Sequence, residues 1–298
     1  RSNTSWKATV RLRGIYGCRS CDNSTAGSIT GSSIMPFVRD CEVLAHQEVA
    51  ADHYRITLAA PEIAKQARPG MFCMIEVGTG FYPFLRRPFS VERIHADGIS
   101  FLYKVEGEGT RLLSRFRAGD TVNIQGPLGR PFPVEAGMRR YFLVAGGIGV
   151  APFPALAEAI IAVGGTPEVL LAARTEHLLI GARDFSRMGC RVVLATDDGS
   201  CGMKGTAVDL LKQDLGTGEG SVVYACGPMA MLRAAHETCL AAGVVCWASL
   251  EAHMACGDGV CMGCVVPANR ETEAERMARV CREGPVFDSR DINWTACP

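Results

Sequence analysis

Four cysteines near the C-terminal end, Cys256, Cys261, Cys264 and Cys281, stand in the order C-x4-C-x2-C followed by a fourth after sixteen residues. This is the ligand spacing of a plant-type [2Fe-2S] cluster. It constrains the fold, because neither a helix nor a strand can wrap a cluster in this way. Gly257, Gly259 and Gly263 lie between the ligands, where a loop must turn tightly and aim backbone N–H groups at sulfur. Such a segment points to electron transfer. A structural zinc is a second reading, since it takes four thiolates and Cys261-Met-Gly-Cys264 alone is half of an ordinary zinc knuckle. Zinc sites usually pair two short C-x2-4-C units, however, and here the fourth cysteine arrives alone. Unligated core cysteines are a third reading, because Cys is often buried. Fourteen cysteines in 298 residues are too few for a disulfide scaffold, and a chain of this length needs no staples to build a core.

A length of 298 residues with 48% hydrophobic content predicts a globular chain of two domains or a little more. Lys plus Arg and Asp plus Glu both number 31, so no basic face is expected for nucleic acid or anionic lipid. The most apolar stretch runs from Tyr141 to Ile161. It contains Gly146, Gly147, Gly149, Pro152 and Pro154 and reads as strand, loop and helix, not as a membrane span. A cytoplasmic location is expected. Residues 1–34 differ in kind, being rich in Ser, Thr, Gly and Asn with no sustained period of 2 or 3.6. They lack the apolar core of a secretory signal and are read as a non-native or disordered extension, with Met35-Pro36 as the native start. An Arg-rich, acid-poor transit peptide is the rival reading. Cys18 and Cys21 form an isolated C-x2-C there and are taken as incidental.

Three segments follow. From 35 to 137, six β-rich runs (Val43–Val49, His53–Ala59, Phe72–Val77, Phe89–Ile94, Ser100–Val105 and Thr121–Gln125) alternate with polar turns. At that spacing they predict an antiparallel barrel. From 138 to 245 strands and helices alternate, with strands at Tyr141–Ala145, Pro167–Arg174, Arg191–Thr196 and Ser221–Cys226 and helices at Ala151–Val163, Ala207–Gln213 and Met229–Ala242. Continuously apolar strands in this rhythm imply a parallel sheet covered on both faces. A further strand, Val244–Leu250, leads into the cysteine segment, assigned to 246–298. The predicted fold class is therefore a β barrel plus an α/β parallel-sheet domain, with a small C-terminal [2Fe-2S] segment. No internal repeat is present.

Several motifs fall at the ends of these strands. Gly146-Gly147-Ile148-Gly149-Val150-Ala151-Pro152 ends the first parallel strand, where glycines let backbone approach a pyrophosphate ahead of a helix N-terminus. Pro152 stands where G-x-G-x-x-G has its third glycine, so this is not the ordinary dinucleotide fingerprint. Asp197-Asp198-Gly199-Ser200 and Cys226-Gly227-Pro228 lie at carboxyl edges of the inferred sheet, where ligands of open α/β folds bind. Each also reads as a plain tight turn; together they predict a nicotinamide nucleotide site. In the barrel, Arg87-Pro88-Phe89-Ser90 places a guanidinium three residues before a hydroxyl in extended backbone enforced ahead of proline. That arginine suits a diphosphate or an ordinary surface ion pair. Leu102-Tyr103-Lys104 ends a strand, and Gly107-Glu108-Gly109-Thr110 is expected to be a flexible loop able to offer N–H donors to phosphate. Gly126-Pro127-Leu128-Gly129 is a turn that closes the barrel region.

Taken in order, R-P-x-S, G-x-G-T, G-P-L-G, G-G-I-G-x-A-P, D-D-G-S, C-G-P and the cysteine spacing resemble the electron transfer subunit of NAD-dependent, type B dihydroorotate dehydrogenase, within the ferredoxin reductase superfamily. The resemblance runs from Met35 to the end. Leu250-Glu251-Ala252-His253-Met254-Ala255-Cys256-Gly257 and Val280-Cys281-Arg282-Glu283-Gly284-Pro285-Val286-Phe287 are similar to this subunit in particular. The resemblance implies that Arg87, Pro88, Phe89 and Ser90 contact FAD, and that Leu102, Tyr103, Lys104, Gly109 and Thr110 line the rest of the flavin. It implies that Gly147 and Gly149, with Cys226, hold NAD, beside Asp197, Gly227 and Pro228 placed there by the sheet edge, and that Cys256, Cys261, Cys264 and Cys281 hold a [2Fe-2S] cluster. Phe89 departs from the smaller aliphatic residue often found there, and residues 1–34 match nothing in the family.

The same resemblance implies a partner: an FMN-containing catalytic subunit that oxidises dihydroorotate, in a heterotetramer of two plus two. Electrons would pass through the cluster and FAD to NAD+, and no general acid or base for orotate chemistry is expected in this chain. The flavin and iron–sulfur subunit of an NADH-dependent ferredoxin:NADP oxidoreductase or sulfide dehydrogenase resembles it in all three segments. Its cluster loop tends to carry aspartate in place of the first cysteine, whereas this chain has Cys256. A free-standing reductase of an oxygenase and a zinc-bearing interaction module are more distant alternatives. Arg174 follows the second parallel strand, where an arginine is also able to meet a 2'-phosphate, so NAD is implied by the family alone.

Overall fold

The structure, a computed structural model, describes residues 36–78, 82–269 and 276–297. The extension at 1–34, its start at Met35 and the Cys18–Cys21 pair lie outside the described residues. The β-rich runs of the first segment form six strands: β1 (Phe37–Ala50), β2 (His53–Ala59), β3 (Phe72–Ile75), β4 (Arg87–Ile94), β5 (Gly98–Lys104) and β6 (Thr121–Leu128). They close into an antiparallel barrel in the order β1-β2-β5-β4-β3-β6. Ile56 and Leu58 on β2 alternate inward with half-buried neighbours, the period of a strand with one face on a core. Strand β3 breaks this pattern, because all four of its residues are buried. Cys73 and Ile75 point into the barrel core, whereas Phe72 and Met74 point out of it into a second core.

Two short helices of the barrel segment were not legible in the sequence. Helix α1 (Pro61–Gln66) starts on a proline, which costs a first turn no hydrogen bond. Helix α2 (Glu108–Leu113) replaces the flexible loop expected at Gly107–Thr110. Its first turn is fixed by the Thr110 hydroxyl, which accepts from the backbone N–H groups of Glu106 at 3.0 Å and Gly107 at 3.2 Å. These N–H groups are held by the protein itself, which is the physical reason the segment is ordered as a helix and not a loop.

The second segment contains β7 (Arg140–Gly146), α3 (Phe153–Ala162), β8 (Pro167–Ala173), α4 (Ala182–Arg187), β9 (Arg191–Thr196), β10 (Met203–Lys204), α5 (Ala207–Asp214), β11 (Ser221–Cys226), α6 (Met229–Ala241) and β12 (Val245–Ser249). The third adds a hairpin, β13 (Val265–Pro267) with β14 (Met277–Arg279), and β15 (Val286–Asp288). Seven strands form one sheet in the order β10-β9-β8-β7-β11-β12-β15. The sheet is parallel except at its edge, where β15 runs antiparallel to β12. Thus β12 spans the boundary expected at 245, and the cysteine segment returns to the sheet through β15. Helices α3 and α4 cover one face through Leu156, Ile160 and Phe185. Helices α5 and α6 cover the other through Leu210, Leu211, Leu232 and Ala235. Burial on both faces explains the unbroken apolar runs of β8 and β11. Among the described residues no helix is long and apolar enough to cross a membrane.

The barrel and the sheet are joined by charge as well as by apolar packing. Glu92 on β4 is only 1% exposed and accepts from Arg55 Nε at 2.8 Å and from Arg55 Nη2 at 2.6 Å. Arg93 reaches across to Asp184 on α4 at 3.2 Å and Glu158 on α3 at 3.3 Å. Removing one partner of a buried pair leaves the other charge uncompensated, which costs roughly 3–5 kcal/mol. Glu92→Ala is therefore expected to lower the stability of the chain by about 3 kcal/mol in urea unfolding. Glu62→Ala, which breaks the exposed pair with Arg39 at 2.5 Å, should cost under about 1 kcal/mol.

Candidate functional site

Strands β4 and β5 bring two of the sequence motifs side by side. Pro88, Phe89 and Ser90 from β4, with Leu102, Tyr103 and Lys104 from β5, form one wall of a cavity of about 430 Å³. Proline forces the residue before it into extended backbone, so Arg87 opens β4 and sets the direction of this wall. The Phe89 ring packs edge-on against Tyr103 with centroids 5.4 Å apart, and the Tyr103 hydroxyl shares a hydrogen bond of 2.9 Å with His46 Nε2. The aromatic residue at position 89 thus fills space against Tyr103. The opposite wall consists of Ile148, Ala151, Pro152 and Cys226 from the sheet and Leu250 to Met254 from the stretch after β12. Pro152, the departure from the dinucleotide fingerprint, lies in this wall.

A second cavity of about 540 Å³ lies along the carboxyl ends of the parallel strands. Gly146 and Gly147 from β7 and the turn after it, Ala172 to Arg174 after β8, Asp197 after β9, and Gly227 and Pro228 after β11 line it. A Cβ on Gly149 would collide with the Cys226 carbonyl. Gly149 therefore lets the turn after β7 pack against the end of β11, which holds the two strand ends together without itself lining the cavity. Arg87, Gly109 and Thr110 also lie off both cavity walls. Gly109 abuts Arg87, whose Nε stands 2.8 Å from where a Cβ would be, and Thr110 is committed to the first turn of α2.

The two cavities share four lining residues: Lys104, Glu106, Ile148 and Glu251. Lys104 Nζ pairs with Glu106 Oε1 at 2.5 Å. Glu251 stands in the cleft, where water reaches it but protein surrounds it on most sides. This desolvation, with the negative charge of Glu106, raises its carboxyl above the usual range. Glu106, Ile148 and Glu251 were not singled out as site residues. Glu251 had a visible signal, since it belongs to the run that leads into the first cysteine; Glu106 had none.

The cysteine loop sits on the barrel. A Cβ on Gly257 would stand 2.6 Å from Met74 Cγ and 3.2 Å from Leu128 Cδ1, so only glycine lets the loop rest against β3 and β6. The sulfurs form two couples. In the first, the Cys261 N–H points at Cys256 Sγ at 3.4 Å, and the Gly263 N–H points at Cys261 Sγ at 3.4 Å. In the second, Cys264 Sγ and Cys281 Sγ are 3.2 Å apart, and the Cys281 N–H points at Cys264 Sγ at 3.4 Å. Among the described residues no three His, Cys, Asp or Glu side chains converge as one metal-holding group. Four thiolates shared by two irons fall two to each. The pairwise arrangement and the backbone N–H groups turned toward sulfur fit the two-iron donor set.

Backbone N–H groups around Cys261 stabilise its thiolate and bring its pKa down to about 7, while burial and the neighbouring Cys264 push Cys281 up to about 12. Cys226 and Cys73 are raised further by burial. A lowered pKa means more thiolate at neutral pH. In iron-free protein at pH 7.5, iodoacetamide is therefore expected to label Cys261 before Cys281, Cys226 or Cys73, as read by peptide mass spectrometry.

Comparison with known proteins agrees with this geometry. Residues 251–293 match the iron–sulfur cluster binding domain of dihydroorotate dehydrogenase B, and residues 143–237 match an oxidoreductase NAD-binding domain. The dihydroorotate dehydrogenase B (NAD+) electron transfer subunit of Desulforamulus reducens is 36% identical, over 87% of this chain and 100% of its own. That of Caldanaerobacter subterraneus is 37% identical over 84% of this chain and 96% of its own. Among solved structures, an NADH-dependent reduced ferredoxin-NADP oxidoreductase superposes with a TM-score of 0.76 at 27% identity, covering 90% of this chain and 92% of that one. An Amycolatopsis cytochrome P450 reductase, at 22% identity and a TM-score of 0.60 over 72% of this chain and 69% of its own, shares the fold. The chain belongs to the family of electron transfer subunits of NAD-dependent dihydroorotate dehydrogenase B.

Proposed function

We propose that this chain is an oxidoreductase subunit that carries electrons from dihydroorotate, oxidised on an FMN-containing partner, through a [2Fe-2S] cluster and FAD to NAD+. One observation carries the reading: the residues that wall the first cavity, Leu250 to Met254, run directly into Cys256, while Lys104, Glu106, Ile148 and Glu251 border both cavities. This continuity supports three adjoining sites in one chain. When bound, FAD supplies the exchange between the paired electrons of a nicotinamide and the single electrons of an iron–sulfur centre.

The residues of the chain bind and orient. Pro88, Phe89, Ser90, Leu102, Tyr103 and Lys104 are assigned to the flavin ring system and its surroundings. Buried Phe89, Leu102 and Tyr103 keep water from that wall, which strengthens polar contacts made inside it. Arg87 and Gly109, in contact with each other, are assigned to the FAD diphosphate; Thr110 supports them by fixing the turn of α2. Gly147, Asp197, Gly227 and Pro228 are assigned to the nicotinamide nucleotide, with Gly149 keeping the strand ends together and Cys226 lining the first cavity. Cys256 with Cys261, and Cys264 with Cys281, are assigned as thiolate ligands of the cluster. The domain roles follow: 35–137 for FAD, 138–245 for NAD and 246–298 for the cluster. A cytoplasmic heterotetramer of two such chains with two catalytic subunits completes the proposal.

Anaerobically purified chain is expected to hold two iron and two sulfide per FAD and, with the FMN partner, to reduce NAD+ at the expense of dihydroorotate. NADH oxidation without any response to dihydroorotate would favour a ferredoxin or sulfide reductase, and zinc without flavin would rule out the relay. Cys264→Ala should abolish dihydroorotate-dependent NAD+ reduction in the assembled complex. A normal rate in that variant would place the cluster off the path.

A further inference from the structure

Three of the four sulfurs are carried by the loop from Cys256 to Cys264 and the fourth, that of Cys281, by the turn after β14, so the second couple spans two pieces of chain. Something must hold these pieces in register. Arg279, the last residue of β14, is placed to do so. Its Nη1 donates to the Gly259 carbonyl at 2.8 Å, in the middle of the cysteine loop. Its Nε donates to Glu283 Oε2 at 3.0 Å and its Nη2 to Glu283 Oε1, and its backbone N–H also donates to Glu283 Oε2 at 2.8 Å. Glu283 lies two residues beyond Cys281, and its N–H returns to the Arg279 carbonyl at 2.9 Å. One guanidinium thereby ties the loop of the first couple to the turn that presents Cys281.

Gly259 is the point where this clasp grips. Its φ of +88° favours glycine, and a Cβ there would stand 3.0 Å from Arg282 Cβ. The loop and the turn that this clasp joins meet at sulfur, where the Cys281 N–H of the turn points at Cys264 Sγ of the loop at 3.4 Å. Neither Arg279 nor Glu283 is among the four cysteine ligands, and neither lines the two cavities described above. Their planar, bidentate pairing orients the arginine fork, so that its remaining N–H reaches Gly259.

We propose that Arg279 is a positioning residue for the iron–sulfur centre: oriented by Glu283, it holds the cysteine loop at Gly259 in register with the turn that follows β14, so that the turn's Cys281 N–H stays presented to Cys264 Sγ of the loop. The inference rests on the proposed assignment of the four cysteines as cluster ligands. Hydrogen bonds to ligand sulfurs stabilise the added negative charge of the reduced state, and so raise the reduction potential.

The test is a redox titration of the full chain, loaded with FAD and cluster and followed by electron paramagnetic resonance, alongside iron and sulfide analysis. Arg279→Met is expected to retain iron but to shift the cluster potential negative and to alter the spectrum. The double variant Arg279→Met/Glu283→Gln, which removes both charges, should keep that negative shift. Arg279→Lys, which keeps the charge but loses the planar fork, should shift in the same direction by less. If Arg279→Met does not retain iron, the lysine variant carries the reading alone. A wild-type potential and spectrum in Arg279→Met, or in Arg279→Lys when only that variant holds iron, would overturn the inference. So would a return to the wild-type potential in the double variant, since charge alone would then explain the shift. Wild-type protein without iron would instead remove the cluster assignment on which the inference stands.

Discussion

A loop that turns thiolates toward a common centre has little apolar surface of its own to bury, so it must lean on a neighbour. Here the neighbour is β3. Its four residues are buried on both faces: Cys73 and Ile75 belong to the barrel core, while Phe72 and Met74 belong to a core shared with the sheet and the cysteine segment. That shared core contains Leu128 of the barrel, Leu232 of α6, and Cys264, Val266, Phe287 and Trp294 of the C-terminal segment. Gly257 rests on Met74, so the first couple of cysteines is seated on the back of a barrel strand. At about 1.5–3 kcal/mol for each large apolar side chain fully buried, this core is what keeps a barrel, a sheet and a small cysteine-bearing segment in one arrangement.

The pairing of β15 with β12 adds a second tie. Residues just after β12 line the first cavity, residues just before β15 include Cys281, and the two strands are hydrogen-bonded to each other. The path from the first cavity to the sulfurs therefore runs along the edge of one sheet. A relay of this kind asks the protein for fixed distances more than for acid–base groups, and rigid secondary structure is the means of fixing them. The residues bordering both cavities follow the same logic: Lys104 and Glu106 leave the barrel, Ile148 leaves β7 and Glu251 leaves β12, so three elements meet where two ligands would touch.

Much of this was legible in the sequence because the signals are local. Strand β2, strand β9 and strand β11 fall where alternation or continuous apolar runs place them, and the cysteine spacing marked its own loop. The elements that escaped are those defined by distant partners. Strand β15 is three residues long and exists because β12 offers an open edge. Helix α2 depends on Thr110 capping its own first turn, which a glycine-rich string does not announce. Glu106 shares a cavity with Gly147 and Asp197 only through the packing of barrel against sheet. Gly149 drew attention as a phosphate-loop glycine, yet its contact is with the Cys226 carbonyl, a close approach visible only once β7 and β11 lie side by side.

The central claim is that the two cavities and the sulfur couples form one continuous electron path. Its most direct test is to reduce the FAD-loaded chain anaerobically with NADH and record electron paramagnetic resonance together with flavin absorbance. The account predicts that the flavin bleaches and that the signal of a reduced [2Fe-2S] centre appears, without any added mediator. Bleaching of the flavin with a cluster that is present yet stays oxidised, although a mediator reduces it at the same potential, would contradict it.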